Sequence, residues 1–202
     1  MSVLGNIDKL AADNIRLLKL PDKKISPSVA ILFVGIPGSG KSTLATKLSE
    51  DFPLALISDE QMAHFLFTTK STLLEHSQKE SLELASKTIE KLVQQGYSCV
   101  YDSNVKNRTD REVIRDLVAG SGGKFLLINL QVEEELAFER VSKANFAVSR
   151  GEKKGFILDK DLFQYEVSST QMPLPEEQAL VFDSSGQNYE LLKEQVEGKL
   201  KQ

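Results

Sequence analysis

Six apolar residues in a row, Val29 to Val34, run straight into Gly35-Ile36-Pro37-Gly38-Ser39-Gly40-Lys41-Ser42, and a helix-forming stretch, residues 42–52, follows. No other feature narrows the fold so far. The octet satisfies G-x-x-x-x-G-K-[ST] in full, and it lies between the strand and the helix that the pattern requires. Its glycines let the backbone approach a ligand closely. Successive N–H groups can then point into one anion-sized concavity. The helix beyond adds the positive end of its dipole and its unpaired N–H donors. Such a loop holds the phosphates of a nucleoside triphosphate, with Lys41 neutralising the β- and γ-phosphates and the Ser42 hydroxyl placed to ligate Mg²⁺. The expected nucleotide-binding residues are Gly35, Pro37, Gly38, Ser39, Gly40, Lys41, Ser42 and Thr43.

Strand-like and helix-like stretches alternate after the loop. Short apolar runs at 54–57, 97–101, 125–130 and 179–182 read as strands. Residues 72–95, 110–119, 133–141 and 188–201 read as helices, the first with a stripe through Leu84, Ala85, Thr88, Ile89, Leu92 and Val93. This alternation predicts an α/β fold with a parallel sheet and helices on both faces. Ahead of it, residues 3–20 carry apolar side chains at helical spacing, and a polar connection bracketed by Pro21 and Pro27 follows. The expected organisation is an N-terminal helix and linker, 1–28, and one domain, 29–202, with no internal repeat.

Composition narrows the function classes. Of 202 residues, 41% are hydrophobic and 27% charged, an ordinary folded mixture. The net charge of -4 provides no global basic field for nucleic acid or anionic membranes. One cysteine, Cys99, excludes an internal disulfide framework and any multi-Cys metal site. His64 and His76 lack metal-ligand spacing. No apolar stretch approaches the roughly 20 residues needed to span a bilayer, and the N-terminus reads as no secretory signal. The expected setting is the cytoplasm, with no membrane partner.

Two acids end strands where a ligand would lie. In an open parallel sheet the carboxyl ends of the strands face the ligand crevice. Asp59 follows Ile57-Ser58, and a carboxylate there can accept the proton of an acceptor hydroxyl; it can also cap the helix starting at Glu60. Asp102 ends residues 97–101 and fits an acid that holds Mg²⁺ through water, a contact with the acceptor, or a strand-end turn. Arg140 stands just before a polar stretch, 142–155, that carries Lys143, Arg150, Lys153 and Lys154 with glycines at 151 and 155. The stretch reads as a basic lid whose cations fold over a triphosphate. No guanine-reading N/T-K-x-D follows residues 125–130, and no LSGGQ-like signature is present.

GIPGSGKSTLA, LISDEQ, GYSCVYDSN with Arg108 and Arg111 after it, LLINL and the basic stretch resemble the AAA_33-type P-loop kinases. These are similar to the kinase domain of polynucleotide 5′-kinases and, more distantly, to zeta-toxin and gluconate kinases. The resemblance runs from about residue 29 to the end. It implies a P-loop NTPase three-layer sandwich and ATP with Mg²⁺. It also implies phosphate and metal binding by Lys41 and Ser42, Asp59 as general base, and Arg140 and Arg150 acting from the lid. Polynucleotide kinases carry an arginine where this chain has Met62, and their second lid arginine is Lys143 here. These departures and the acidic balance favour an ATP-dependent transfer of the γ-phosphate to a small-molecule hydroxyl. A nucleic-acid 5′ end is the alternative acceptor. A nucleotide-binding switch or adaptor signalling through the first helix is the alternative of another class.

Overall fold

The computed structural model describes residues 6–69, 78–152, 157–186 and 189–201. Five strands form one parallel sheet in the order β2-β3-β1-β4-β5: β1 (Val29–Val34), β2 (Leu54–Ser58), β3 (Ser98–Asp102), β4 (Lys124–Gln131) and β5 (Leu180–Asp183). The connections carry α2 (Lys41–Asp51), α3 (Asp59–Thr69), α4 (Gln78–Gln94), α5 (Arg108–Gly120), α6 (Glu134–Ser149) and α7 (Lys160–Ser169). α1 (Ile7–Ile15) precedes the sheet, and α8 (Tyr189–Lys201) follows it.

Side chains alternate across a strand, and β1 divides the core accordingly. Ala30, Leu32 and Val34 face a cluster containing Met62 and Leu66 of α3, Leu84 and Ile89 of α4, and Ile114 and Val118 of α5. Val29, Ile31 and Phe33 face Leu44 and Leu48 of α2 and Leu192, Val196 and Leu200 of α8. Every residue of β1 is buried, which explains why this strand reads as a continuous apolar run. The three layers are those expected from the sequence. A third cluster, Ile36, Ala137, Val141 and Phe163, packs α6 and α7 over the carboxyl end of the sheet.

The N-terminal helix is part of the first layer. Ala11 and Ile15 are buried in the same cluster as β1 and β3, and Asp8 pairs with Lys87 and Lys91 of α4. Asn6 caps α1, its side chain accepting from the Lys9 N–H. The helix is shorter than the 3–20 stripe, ending near Arg16. Lys24 fastens the connection by donating to the Gln95 carbonyl at 2.8 Å and lying over the Tyr97 ring.

Two helices differ from the sequence expectation. α6 continues through Ser149, so the first half of the expected lid is helix. Asn145 supports this extension, exchanging hydrogen bonds with the Leu158 backbone at 2.7 and 2.9 Å. α7 was not expected; Asp159 caps it, accepting from the Leu162 N–H, and Phe163 is buried beneath it. Lys153, Lys154, Gly155, His76 and the start of the 72–95 stretch lie outside the described residues. Among the described residues no helix is long and apolar enough to cross a membrane.

Candidate functional site

The site opens where β1 and β3 end side by side. Gly38 and Gly40 hold φ of +78° and +95°, a region closed to most side chains. At Gly38 the demand is also steric, because a Cβ would come within 2.3 Å of the Ala137 carbonyl oxygen of α6. The first N–H groups of α2, from Lys41 onward, have no intrahelical acceptor by position. The loop is tied to the next strand by Asn104, whose side-chain oxygen accepts from the Gly35 N–H at 3.2 Å. The Lys41 ammonium donates to the carbonyls of Gly35 and Ile36 at 2.8 and 3.0 Å. Burial lowers its pKa to about 8, against the opposing charges of Asp102 and Glu166.

Consecutive residues of β3 point to opposite faces, which gives Tyr101 and Asp102 different partners. Asp102 turns toward α2. Burial raises its carboxyl, and a hydrogen bond from the Ser42 hydroxyl and the charge of Lys41 oppose the shift only in part. A hydroxyl and a carboxylate held together beside a phosphate loop are hard oxygen donors suited to Mg²⁺. Among the described residues no group of three or more His, Cys, Asp or Glu side chains could hold a metal by itself. The pair therefore fits an ion that arrives with phosphate oxygens as its other ligands.

Tyr101 turns the other way. Its hydroxyl donates to one oxygen of Asp59, and the Ser103 hydroxyl donates to the other. Asp59 is the first residue of α3, immediately after β2, where Ser58 pairs in register with Asp102. Burial raises the Asp59 carboxyl despite these two hydrogen bonds, and it raises the fully buried Tyr101 hydroxyl further. Ser103 and Asp59 stand in the wall of a cavity of about 570 Å³ whose other walls include Leu82, Lys106, Asp110 and Glu166.

The expected basic residues separate. Arg140 reaches the loop, donating to the Gly38 carbonyl at 3.2 Å and to the Ser184 hydroxyl and carbonyl at 2.9 and 3.0 Å. Lys143 is exposed and pairs with Glu139. Arg150 lies ten residues beyond Arg140, about 15 Å along a helix, and pairs with Glu152 in solvent. Met62 is wholly buried in the core. The sequence reading passed over Tyr101, Lys106, Glu166 and Thr170. Tyr101 carried a usable signal, since a strand residue next to Asp102 must face the side opposite to it.

The AAA_33 family model, described as an AAA domain, matches residues 31–154. The chain belongs to that family. The match runs from β1 through α6, so it contains the loop, Asp59, Asp102 and Arg140, while α7 and the last strand lie outside it. No curated protein matches the AAA_33 chain by sequence. Solved structures share its fold. An unliganded sugar kinase from Janibacter sp. HTCC2649 superposes with a TM-score of 0.62 at 18% identity, over 85% of this chain and 94% of that one. The Mycobacterium tuberculosis APS kinase CysC, in complex with AMPPNP and APS, gives 0.57 at 21%, over 85% and 96%. Chaetomium thermophilum Kti12, in complex with ADP-AlF3, gives 0.64 at 14%, over 81% and 94%. The AAA_33 chain thus has a P-loop kinase fold.

Proposed function

We propose that the chain is an ATP-dependent phosphotransferase that moves the γ-phosphate of ATP to a hydroxyl of a small molecule bound in the cavity beside Asp59. The observation that carries this reading is the position of Asp59. Its carboxylate forms part of the cavity wall, and the strand end next to it carries Asp102 against the phosphate loop.

Each group then has a role. The N–H groups of Gly38 and of Gly40 to Thr43, together with Lys41, hold the β- and γ-phosphates, while Gly35, Pro37 and Ser39 shape the loop. Ser42 and Asp102 would hold Mg²⁺, which when bound would offset the charge of the phosphates. An acceptor oxygen attacks the γ-phosphorus, the new O–P bond forms as the bond to the leaving ADP oxygen breaks, and the acceptor proton passes to Asp59. Tyr101 and Ser103 each occupy one lone pair of that carboxylate, which fixes its plane. Burial raises its basicity toward the range in which a general base works. Arg140, braced on the loop, stands where it can offset charge in the transition state. Arg150 would act only after movement of the far end of α6.

The packing of α1 into the first layer supports this reading over a switch that signals through a free N-terminal helix. The test is transfer of labelled γ-phosphate to a panel of metabolites, sugars and nucleic-acid ends, with ADP release followed alongside. Acceptor-dependent ADP release and a labelled product are expected. Slow ADP release indifferent to every acceptor would replace the kinase reading with the switch.

A further inference from the structure

We propose that the cavity selects an uncharged, multiply hydroxylated molecule of sugar size, and that the Lys106–Glu166 pair is the element that turns anionic acceptors away. The assignment rests on the reading of this cavity as the acceptor site. In sequence the segment after β3 looks like an anion site, with Lys106, Arg108 and Arg111 in six residues. The fold commits each of these cations to a carboxylate instead.

Lys106 donates to both oxygens of Glu166 at 3.0 Å and to the Ser169 hydroxyl at 3.3 Å. An ammonium has three donors, and these partners match them. Arg111 is buried against Glu177, with paired contacts of 2.6 and 2.9 Å, and its remaining nitrogen reaches the Val105 and Lys106 carbonyls. Arg108 also turns toward Glu177, at 3.6 Å. Among the described residues no arginine lines the cavity, and its walls set Asp59, Asp110 and Glu166 against Lys79 and Lys106. A phosphate or carboxylate on the acceptor would meet Asp59, Asp110 and Glu166, with Lys79 at the start of α4 the one lining ammonium outside the Lys106–Glu166 pair among the described residues. It could recruit Lys106 only by leaving Glu166 half-buried without its partner, a costly exchange. A nucleic-acid end would bring a phosphodiester and would find Lys106, Arg108 and Arg111 already committed to carboxylates.

What remains suits hydroxyl groups. A hydroxyl both donates and accepts. Asp59 and Asp110 can accept from it, the Ser103 hydroxyl and the Asn107 amide offer polar edges, and Leu82 and Val105 give an apolar surface for the C–H face of a ring. The volume of about 570 Å³ accommodates a small ligand of this kind.

The test pairs neutral rings with their charged counterparts: glucose and galactose against glucuronate and galacturonate, myo-inositol against its monophosphate, and a 5′-hydroxyl oligonucleotide. Labelled transfer is measured at pH 7 and saturating ATP·Mg²⁺. Binding is followed separately by ligand-observed NMR with a non-hydrolysable ATP analogue. At least one neutral ring should bind and accept phosphate with a kcat/KM at least tenfold above its charged counterpart. Glu166→Gln, which releases Lys106, should shift that ratio at least tenfold toward the charged member. Preference for a uronate, an inositol phosphate or the oligonucleotide in the unmodified protein overturns the selectivity while leaving phosphotransfer intact. Selective binding of a neutral ring with no transfer leaves the selectivity standing and removes the phosphotransfer reading. Absence of binding by every neutral ring, or a ratio unmoved in Glu166→Gln, overturns the proposal. Thermal unfolding of the variant confirms that the comparison is between folded proteins.

Discussion

The two walls of the crevice are built by different means. The nucleotide wall is one contiguous segment, residues 35–43, whose working groups are mostly backbone N–H donors. Asp102, Asn104 and Arg140 join it from elsewhere. The proposed acceptor wall collects Asp59 from α3, Leu82 from α4, Tyr101 from β3, Lys106 from a loop, Asp110 from α5 and Glu166 from α7. Side-chain ties hold it: Lys106 to Glu166, Arg111 to Glu177, Asn104 to Thr170, and the Arg108 N–H to the Gln171 side chain. Backbone donors are the same whatever the side chains, so a local motif can serve any nucleotide triphosphate. A wall of side chains can change its ligand one residue at a time while the phosphate loop stays intact. Asn104 joins both walls, accepting from Gly35 and donating to Thr170.

The largest effect expected from separating the walls comes from Asp59→Asn. General base catalysis contributes about 10²–10⁴-fold, and acceptor phosphorylation should fall by that factor. ATP affinity should hold, because the phosphate loop is untouched. Contrary to the sequence expectation, Ser58 and not Asp59 caps α3, its hydroxyl accepting from the Gln61 N–H, so the substitution leaves the cap intact and stability should change little. Isothermal titration with ATP and a labelled-transfer assay read the two quantities separately. A parallel loss of ATP binding would mean that the walls do not act independently.

Next comes Arg111→Met. The guanidinium and its partner are 1% and 7% exposed. Burial by itself would raise the Glu177 carboxyl, but the hydrogen bonds and charge of Arg111, with the Leu174 N–H and Arg108, together hold it below the ordinary value. Removing one member of such a pair leaves an uncompensated charge and costs about 3–5 kcal/mol. Denaturant unfolding should show a loss of that order, with a smaller loss in Glu177→Gln. In the folded variant the acceptor KM should rise, because the Val105 and Lys106 carbonyls lose their donor. The ATP KM should stay constant.

These two walls also differ in how far sequence reveals them. The nucleotide wall was legible because its chemistry is local: a glycine octet between a strand and a helix means the same thing wherever it occurs. The layering was legible too, since β1 is buried on both faces and the stripe of α4 has helical period. The acceptor wall was not. The partner of Lys106 lies sixty residues on, in a helix that the sequence reading passed over. The ion pair of Arg111 joins α5 to a turn after α7, and no local pattern announces it. The polar stretch after residue 141 reads as a lid in sequence because of its cations and the glycines at 151 and 155. Helix α6 continues there on the strength of tertiary ties, Asn145 to Leu158 among them.

The smallest effect tests whether the walls share an electric field. The Lys41 ammonium, lowered to about 8 by burial, is roughly nine-tenths charged at pH 7 and one-tenth at pH 9. A bound triphosphate restores the charged form, so the complex holds more protons than the free protein above pH 8. Affinity for ATP must then fall as pH rises through that range, by about tenfold between pH 7 and 9. Calorimetry in two buffers of different ionisation heat should show close to one proton taken up per ATP at pH 9. Lys41→Met should bind more weakly and show neither the uptake nor the slope. The charge of Glu166, on the acceptor wall, raises the Lys41 pKa. Glu166→Gln should therefore move the fall in affinity to lower pH. A profile unmoved in that variant would mean that the acceptor wall exerts no field on the phosphate loop, and that Asp102 alone sustains the charge of Lys41.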